Sequence, residues 1–218
     1  MLVLAGDIGD LRNPNLERFF YWIMDNWSHA FYIPGNHDYF GFMWEDAEQI
    51  MKELCSRTSV TYLNDCMVCH KSITGKCYYF LGATFWTDLT NHEDICRNAM
   101  SEYKYVVGLS PELTTECHKV SRNWIHEIIT NIKDPHSSII VVTHHPPSKR
   151  CLSPHWQGDV LNPAFVSNSE DLLEKVDLWI CGHTHYNFNY LVGKARLVSN
   201  QYGHGDVYRY RSDCYISL

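Results

Sequence analysis

Three observations in this sequence predict an α/β fold of one domain built on a largely parallel sheet. Short apolar runs at Leu2–Ala5 and at 29–33, 138–142 and 177–180 read as buried strands. Amphipathic stretches of helical length separate most of them, and strands that alternate with helices pair in parallel. Each run ends in a polar loop, so the carboxyl ends of the strands should present their side chains along one edge. With 218 residues, of which 45% are hydrophobic and 14% aromatic, residues 1–218 support one substantial core and are short for two.

Composition narrows the functional classes. A net charge of -7 and an isoelectric point near 6.0 weigh against a nucleic-acid polymer as partner, because phosphate neutralisation needs clustered Lys and Arg. Small anions stay open, since a bound cation inverts the local sign. The nine Cys form no regular framework, which fits a reducing, cytoplasmic setting. The opening Met1-Leu2-Val3-Leu4-Ala5 lacks the basic start of a secretion signal, and no run approaches a membrane span, so no membrane partner is expected.

In order, the first strand breaks into Gly6-Asp7-Ile8-Gly9-Asp10, with Asp7 at the tip. Asn13 as N-cap and Pro14 in the first helical position open a helix to about residue 27. The strand over 29–33 runs into Pro34-Gly35-Asn36-His37-Asp38. There the Asn oxygen can coordinate a cation, the His can donate a proton or hydrogen bond to a leaving oxygen, and the Asp can orient the imidazole.

A helix over 42–55 precedes β-like pieces at 60–63, 66–72 and 76–84. Within them Cys66-Met67-Val68-Cys69-His70 spells a c-type haem attachment site. On one arm of a hairpin, with nothing marking export, these are better taken as isolated thiols, and no haem is expected. A polar loop after Trp86 carries Asp88 and His92, and Ser110 with Pro111 starts a long helix to about residue 132. The strand over 138–142 ends in Thr143-His144-His145-Pro146-Pro147, stiffened by its prolines. Residues 148–168 show no periodicity, as lids and substrate walls often do not. After a short helix the strand over 177–180 delivers Cys181-Gly182-His183-Thr184-His185, two imidazoles on one irregular loop, and a last hairpin spans 188–199.

The polar tips therefore gather a carboxylate (Asp7), an amide oxygen (Asn36) and imidazoles (His144, His183, His185). Such donors suit manganese, iron or zinc and suit calcium poorly. An ion of this kind lowers the pKa of bound water and clamps an anionic oxygen, which serves phosphate-ester hydrolysis.

Taken together and in this order, Gly6-Asp7-Ile8-Gly9-Asp10, Gly35-Asn36-His37-Asp38, His144-His145-Pro146 and Gly182-His183-Thr184-His185 resemble the calcineurin-like metallophosphoesterases. The similarity runs from residue 1 to about 205, and the segments 81–88 and 161–165 resemble the small bacterial-type members. The resemblance implies a four-layer α/β/β/α sandwich with one or two divalent metal ions (Mn, Fe or Zn). Asp7 would bridge them, with Asn36, His144 and His183 completing one site and His185 belonging to the other. His37 would stand beside the scissile phosphate as acid or charge stabiliser, with Asp38 behind it as its catalytic companion. His145 matches no ligand position and is expected to pack behind the ligands.

The function so implied is hydrolysis of phosphate mono- or diesters by a metal-bound hydroxide. Asn36, His37 and Trp86 would contact a small phosphorylated substrate. The alternative is a metal- or partner-binding scaffold of the same fold with impaired turnover. One departure bears on the count of metals: the family pattern begins with an earlier strand ending in Asp-x-His, whereas Met1 here falls on what resembles the second strand. The expectation is an amino-terminally shortened domain, its first strand missing, with one well-held metal, a weak second site and an exposed sheet edge that invites a homodimer.

Overall fold

The computed structural model describes residues 1–203 and 210–218; residues 204 and 205, the last of the stretch similar to the family, lie outside the described residues. The first part of the chain forms β1 (Leu2–Ala5), α1 (Pro14–Asn26), β2 (Ala30–Ile33), α2 (Trp44–Thr58) and β3 (Thr61–Tyr62). The rest forms β4 (Cys66–Lys71), β5 (Cys77–Ala83), α3 (Glu93–Ala99), α4 (Glu102–Tyr105), α5 (Pro111–Asn131), β6 (Ser138–Thr143), β7 (Leu178–Cys181), β8 (Phe188–Val192) and β9 (Ala195–Ser199).

The strands make two sheets and not the single sheet that alternation alone suggests. One is three-stranded in the order β1-β2-β3, all parallel; the other is six-stranded, β4-β5-β6-β7-β9-β8, parallel inside and antiparallel at its two outer pairs. A sequence of apolar runs shows that strands exist but not which one each run lies beside, so the division was not readable.

Side-chain alternation explains the stacking. On β2, Phe31 and Ile33 point into a core shared with Phe80, Ile140, Val142, Leu178 and Val198 of the larger sheet, and the rings of Phe31 and Phe80 stack at 4.4 Å. The intervening Ala30 and Tyr32 face α1 and α2 through Phe20, Ile23, Ala47 and Met51. On β6, Ile139 and Val141 face away from the small sheet, toward Ile125 and Ile129 of α5 and Leu172 and Leu173 beyond it. Both faces of β2 and β6 are thus covered, and every residue of each is buried. The order of layers is helix, sheet, sheet, helix, as the resemblance implied.

The helix starts follow the expected chemistry. Asn13 accepts the Asn15 N–H at 3.0 Å with Pro14 following it, and Ser110 accepts the Leu113 N–H at 3.2 Å with Pro111 following. Two features were not expected. The polar loop that carries Asp88 and His92 runs into α3, with α4 just beyond it, both too short for a helical period to register. The aperiodic 148–168 segment makes three single 3-10 turns and buries Cys151, Leu152, Ala164 and Val166. Ser167 and Ser169 donate to the carbonyls of Pro146 and Pro147, so the segment forms a packed wall beside the β6 loop.

Among the described residues β1 is the end strand of its sheet, no helix is long and apolar enough to cross a membrane, and all nine Cys are free thiols, Cys66 and Cys69 on β4 included.

Candidate metal centre

Four loops meet where the two sheets stack. Asp7 follows β1, Asn36 follows β2, His144 follows β6 and His183 follows β7. The ligand atoms of Asp7, His144 and His183 all lie within 4.8 Å of one another. His144 Nε2 stands 3.3 Å from Asp7 Oδ2 and 3.0 Å from Asn36 Oδ1. Donors bound at about 2.1 Å to one first-row ion lie about 3–4 Å apart, so the 3.0 and 3.3 Å separations around His144 Nε2 fit a single cation.

Backbone geometry brings the loops this close. Asp7 and His183 have φ of 55° and 69°, a left-handed conformation that costs roughly 1–3 kcal/mol at a residue with a Cβ and collects at functional sites. Gly6, Gly35 and Gly182 line the crossings: a methyl group on Gly6 would collide with the His144 ring, one on Gly35 with the Asp7 carboxylate, and one on Gly182 would lie 2.9 Å from the Ala5 carbonyl oxygen.

Hydrogen bonding fixes one end of the His144 ring. Its Nδ1 lies 2.9 Å from the Ala5 carbonyl oxygen, an acceptor only, so Nδ1 carries the proton. In its neutral form the ring turns a bare Nε2 lone pair toward two oxygens, those of Asp7 and Asn36. Three lone pairs converging on one point repel unless a cation stands between them. Burial opposes charge on His144, but the Asp7 carboxylate and the Ala5 carbonyl outweigh it and raise the pKa. Burial likewise opposes charge on Asp7, yet His144 and His37 prevail and hold the carboxyl at about 2. A proton on His144 occupies the place a metal would take.

His183 supplies the complementary observation. Burial, followed by the neighbouring His145 and His144, drives its pKa well down, so the ring is neutral. Its Nε2 is sealed from solvent with no hydrogen-bond partner among the described residues. A buried imidazole nitrogen without a hydrogen-bond partner, on a residue grouped with Asp7 and His144, fits the role of a metal ligand.

The other expected residues occupy different places. Asp38 is buried and does not orient the His37 ring. Its carboxylate accepts the N–H groups of Gly35 at 2.8 Å, Asp7 at 2.9 Å and Ile8 at 3.2 Å, tying the first loop to the second. The 3-10 turn over His37–Tyr39 sends neighbouring side chains apart, which adjacency in sequence does not reveal. His37 is exposed, its ring stacked on Phe40 at 4.3 Å and its N–H given to Asp7 Oδ1 at 2.9 Å. His185 is exposed with φ of 47°, donates its N–H to Gln201 Oε1 at 2.9 Å, and stands outside the Asp7, His144, His183 group.

Trp86, expected to touch substrate, is 3% exposed and packs against Tyr39, Trp44 and His145. It lies behind the site and does not line it. His145 packs where expected: its Nδ1 lies 3.1 Å from the Thr84 carbonyl oxygen, its ring 4.1 Å from that of His183, and burial together with His144 lowers its pKa to about 3. Two contributors carried no sequence signal. Phe165, from the 148–168 wall, has its ring 5.2 Å from His183. Glu102, on the four-residue α4, is buried, and burial raises the pKa of its carboxyl.

Comparison with known proteins gives the same picture. Residues 1–187 match the family described as Calcineurin-like phosphoesterase. Protein L509 of Acanthamoeba polyphaga mimivirus is 22% identical over 223 residues, covering 93% of this chain and 78% of that one. Among solved structures, the Phosphopantetheinyl Hydrolase (PptH) from Mycobacterium tuberculosis superposes with a TM-score of 0.68 at 13% identity, over 90% of this chain and 77% of the other. At that identity the likeness speaks for the fold.

Proposed function

The chain belongs to the calcineurin-like phosphoesterase family, and from that premise we propose that it hydrolyses phosphate mono- or diesters of small molecules with a divalent metal held by Asp7, Asn36, His144 and His183. The observation that carries the reading is the approach of His144 Nε2 to the oxygens of Asp7 and Asn36, at 3.3 and 3.0 Å, beside the partnerless Nε2 of His183. Two oxygen and two nitrogen donors favour manganese, iron or zinc. Bound there, such an ion would acidify water and offset charge on a phosphate oxygen.

The residues divide the remaining work. His37, at the exposed mouth beside the ligands, is placed to donate a hydrogen bond or proton to the departing oxygen of the substrate. Phe40 keeps that ring in position by stacking. Asp38 acts indirectly, holding Asp7 and the Gly35 turn in register so that both oxygen donors face the same point. Phe165 and buried His145 exclude water behind His183.

Turnover of an aryl phosphate with added manganese tests the proposal. Activity in the unmodified chain, lost in both Asn36→Ala and His183→Ala, is the expected result. Full manganese affinity without turnover would instead favour the scaffold reading. A cytoplasmic setting goes with this proposal, supported by the free thiols. So does self-association along the open side of β1, which sedimentation would detect as a dimer.

A further inference from the structure

Apolar side chains gather at the mouth of the site and take no part in the hydrolysis described above. The chain after the 3-10 turn and the chain after α4 run side by side in a short seam. Gly41 donates its N–H to the Tyr105 carbonyl at 2.8 Å, Val107 donates to the Phe42 carbonyl at 2.9 Å, and Trp44 donates to the Val107 carbonyl at 3.3 Å. Along this seam Met43, Tyr105 and Val107 are 50%, 58% and 57% exposed. A single exposed apolar side chain is ordinary, whereas neighbours joined in one strip mark a binding surface.

The strip leads back to the site through rings. Tyr105 lies 5.5 Å from Phe40, and Phe40 stacks at 4.3 Å on His37, whose backbone N–H reaches Asp7 Oδ1. The Gly41 hydrogen bond ties the residue after Phe40 directly to Tyr105, so main chain as well as side-chain packing sets the spacing of the pair. A cation borders the same turn. A Cβ on Gly41 would lie 2.8 Å from Arg12 Nη1, while Asp10 accepts from Arg12 Nε at 2.8 Å and Nη2 at 2.7 Å, leaving Nη1 outside that pair.

His37 is placed at the departing oxygen, so what extends beyond it toward Phe40 and Tyr105 is the alcohol that leaves. An aliphatic alcohol would gain only buried area on this strip. A flat ring gains in addition from offset stacking, and both aromatic faces and guanidinium planes take nucleobases. A nucleobase also carries acceptor atoms at its edge, which complement a cation as a hydrocarbon ring does not.

We propose that Phe40 and Tyr105 form a shelf for the leaving alcohol, and that the preferred substrates are phosphate esters whose alcohol carries a flat, acceptor-bearing ring of nucleobase type. The proposal rests on the metal-dependent reading above and deepens it by naming the substrate class.

Two measurements test it. The first is steady-state hydrolysis, with added manganese, of adeninylethyl phosphate and cyclohexylethyl phosphate, which share a linker and differ in the ring. The unmodified chain should favour the adenine ester in kcat/KM. Tyr105→Ala should lower that preference about five- to a hundredfold, chiefly through KM, and Tyr105→Phe should keep it because the ring face remains. Equal kcat/KM for the two esters, or a preference unaltered in Tyr105→Ala, would overturn the shelf while leaving the hydrolase reading in place. The second measurement uses the chain without added metal: adenosine, but not ribose, should progressively shift the Tyr105 ring signals in NMR, identified by their loss in Tyr105→Phe. If neither ester is hydrolysed, the hydrolase reading falls and this titration decides the shelf, a shift supporting it and none overturning it. A dimer in sedimentation that dissociates in Tyr105→Ala would assign the strip to a second copy and overturn the proposal.

Discussion

The oxygen donors, Asp7 and Asn36, leave the ends of β1 and β2 in the three-stranded sheet, whereas the nitrogen donors, His144 and His183, leave β6 and β7 in the six-stranded one. The two sets are also held by different physics. On the small sheet one buried carboxylate, Asp38, accepts three backbone N–H groups and locks the loops through charge-assisted hydrogen bonds. On the large sheet the imidazoles are held chiefly by burial and ring contact: His144 and His145 are each 1% exposed, and the rings of His144, His145 and His183 lie 4.1–5.1 Å from one another. Neither half holds the candidate donors alone. The site exists only where the sheets stack.

The comparison can be broken at either half. Asp7→Ala and His183→Ala remove one donor from each, and both are expected to lower manganese-dependent turnover by about a thousandfold or more, since several kcal/mol of charge stabilisation is lost; steady-state assays check this. Asp38→Ala should act on the small sheet alone. Stranding the three N–H groups is expected to cost about 3 kcal/mol in denaturant melts, with Asp38→Asn milder because one acceptor oxygen remains. The contact between the halves is probed by Ile140→Val, which trims one methyl group from the core between the sheets and should cost about 1 kcal/mol.

Acid should act on the halves through different groups. The unfolded chain takes up a proton on a His near pH 6.5, but folded His145 refuses it until about 3, so the large-sheet half loses stability as pH falls from 6.5 toward 3. Asp7, at about 2 when folded against 3.8 in the unfolded chain, contributes fully above 3.8 and loses that contribution only between 3.8 and 2. The thermal midpoint of the metal-free chain is therefore expected to drop less between pH 6.5 and 4 in His145→Phe than in the unmodified protein.

Legibility in the sequence followed the same division. Strand-end residues could be placed because a buried run fixes where its loop begins: Asp7, Asn36, His144 and His183 came together as the strand tips suggested. Inferences from adjacency were less secure. Asp38 follows His37 but faces the other way in a 3-10 turn, and His185 diverges from His183 on a loop with two left-handed residues. Trp86 lies near the expected substrate wall in sequence, yet three aromatic neighbours draw it inward. Glu102 had no signal, since a four-residue helix carries no periodicity and its burial depends on contacts with a distant turn. The four-layer arrangement came from family resemblance, because the pairing of strands is decided by packing that a linear pattern does not encode.

The glycines where the loops cross give the centre an unusual mutational footprint. Gly6, Gly35 and Gly182 offer no donor atoms, yet a single carbon added at any of them would intrude on a ligand or its support. In a saturation library selected for activity, these three positions should be as invariant as the coordinating side chains. Chemistry that depends on Asp7 and the imidazoles would then owe its persistence as much to empty space as to reactive groups.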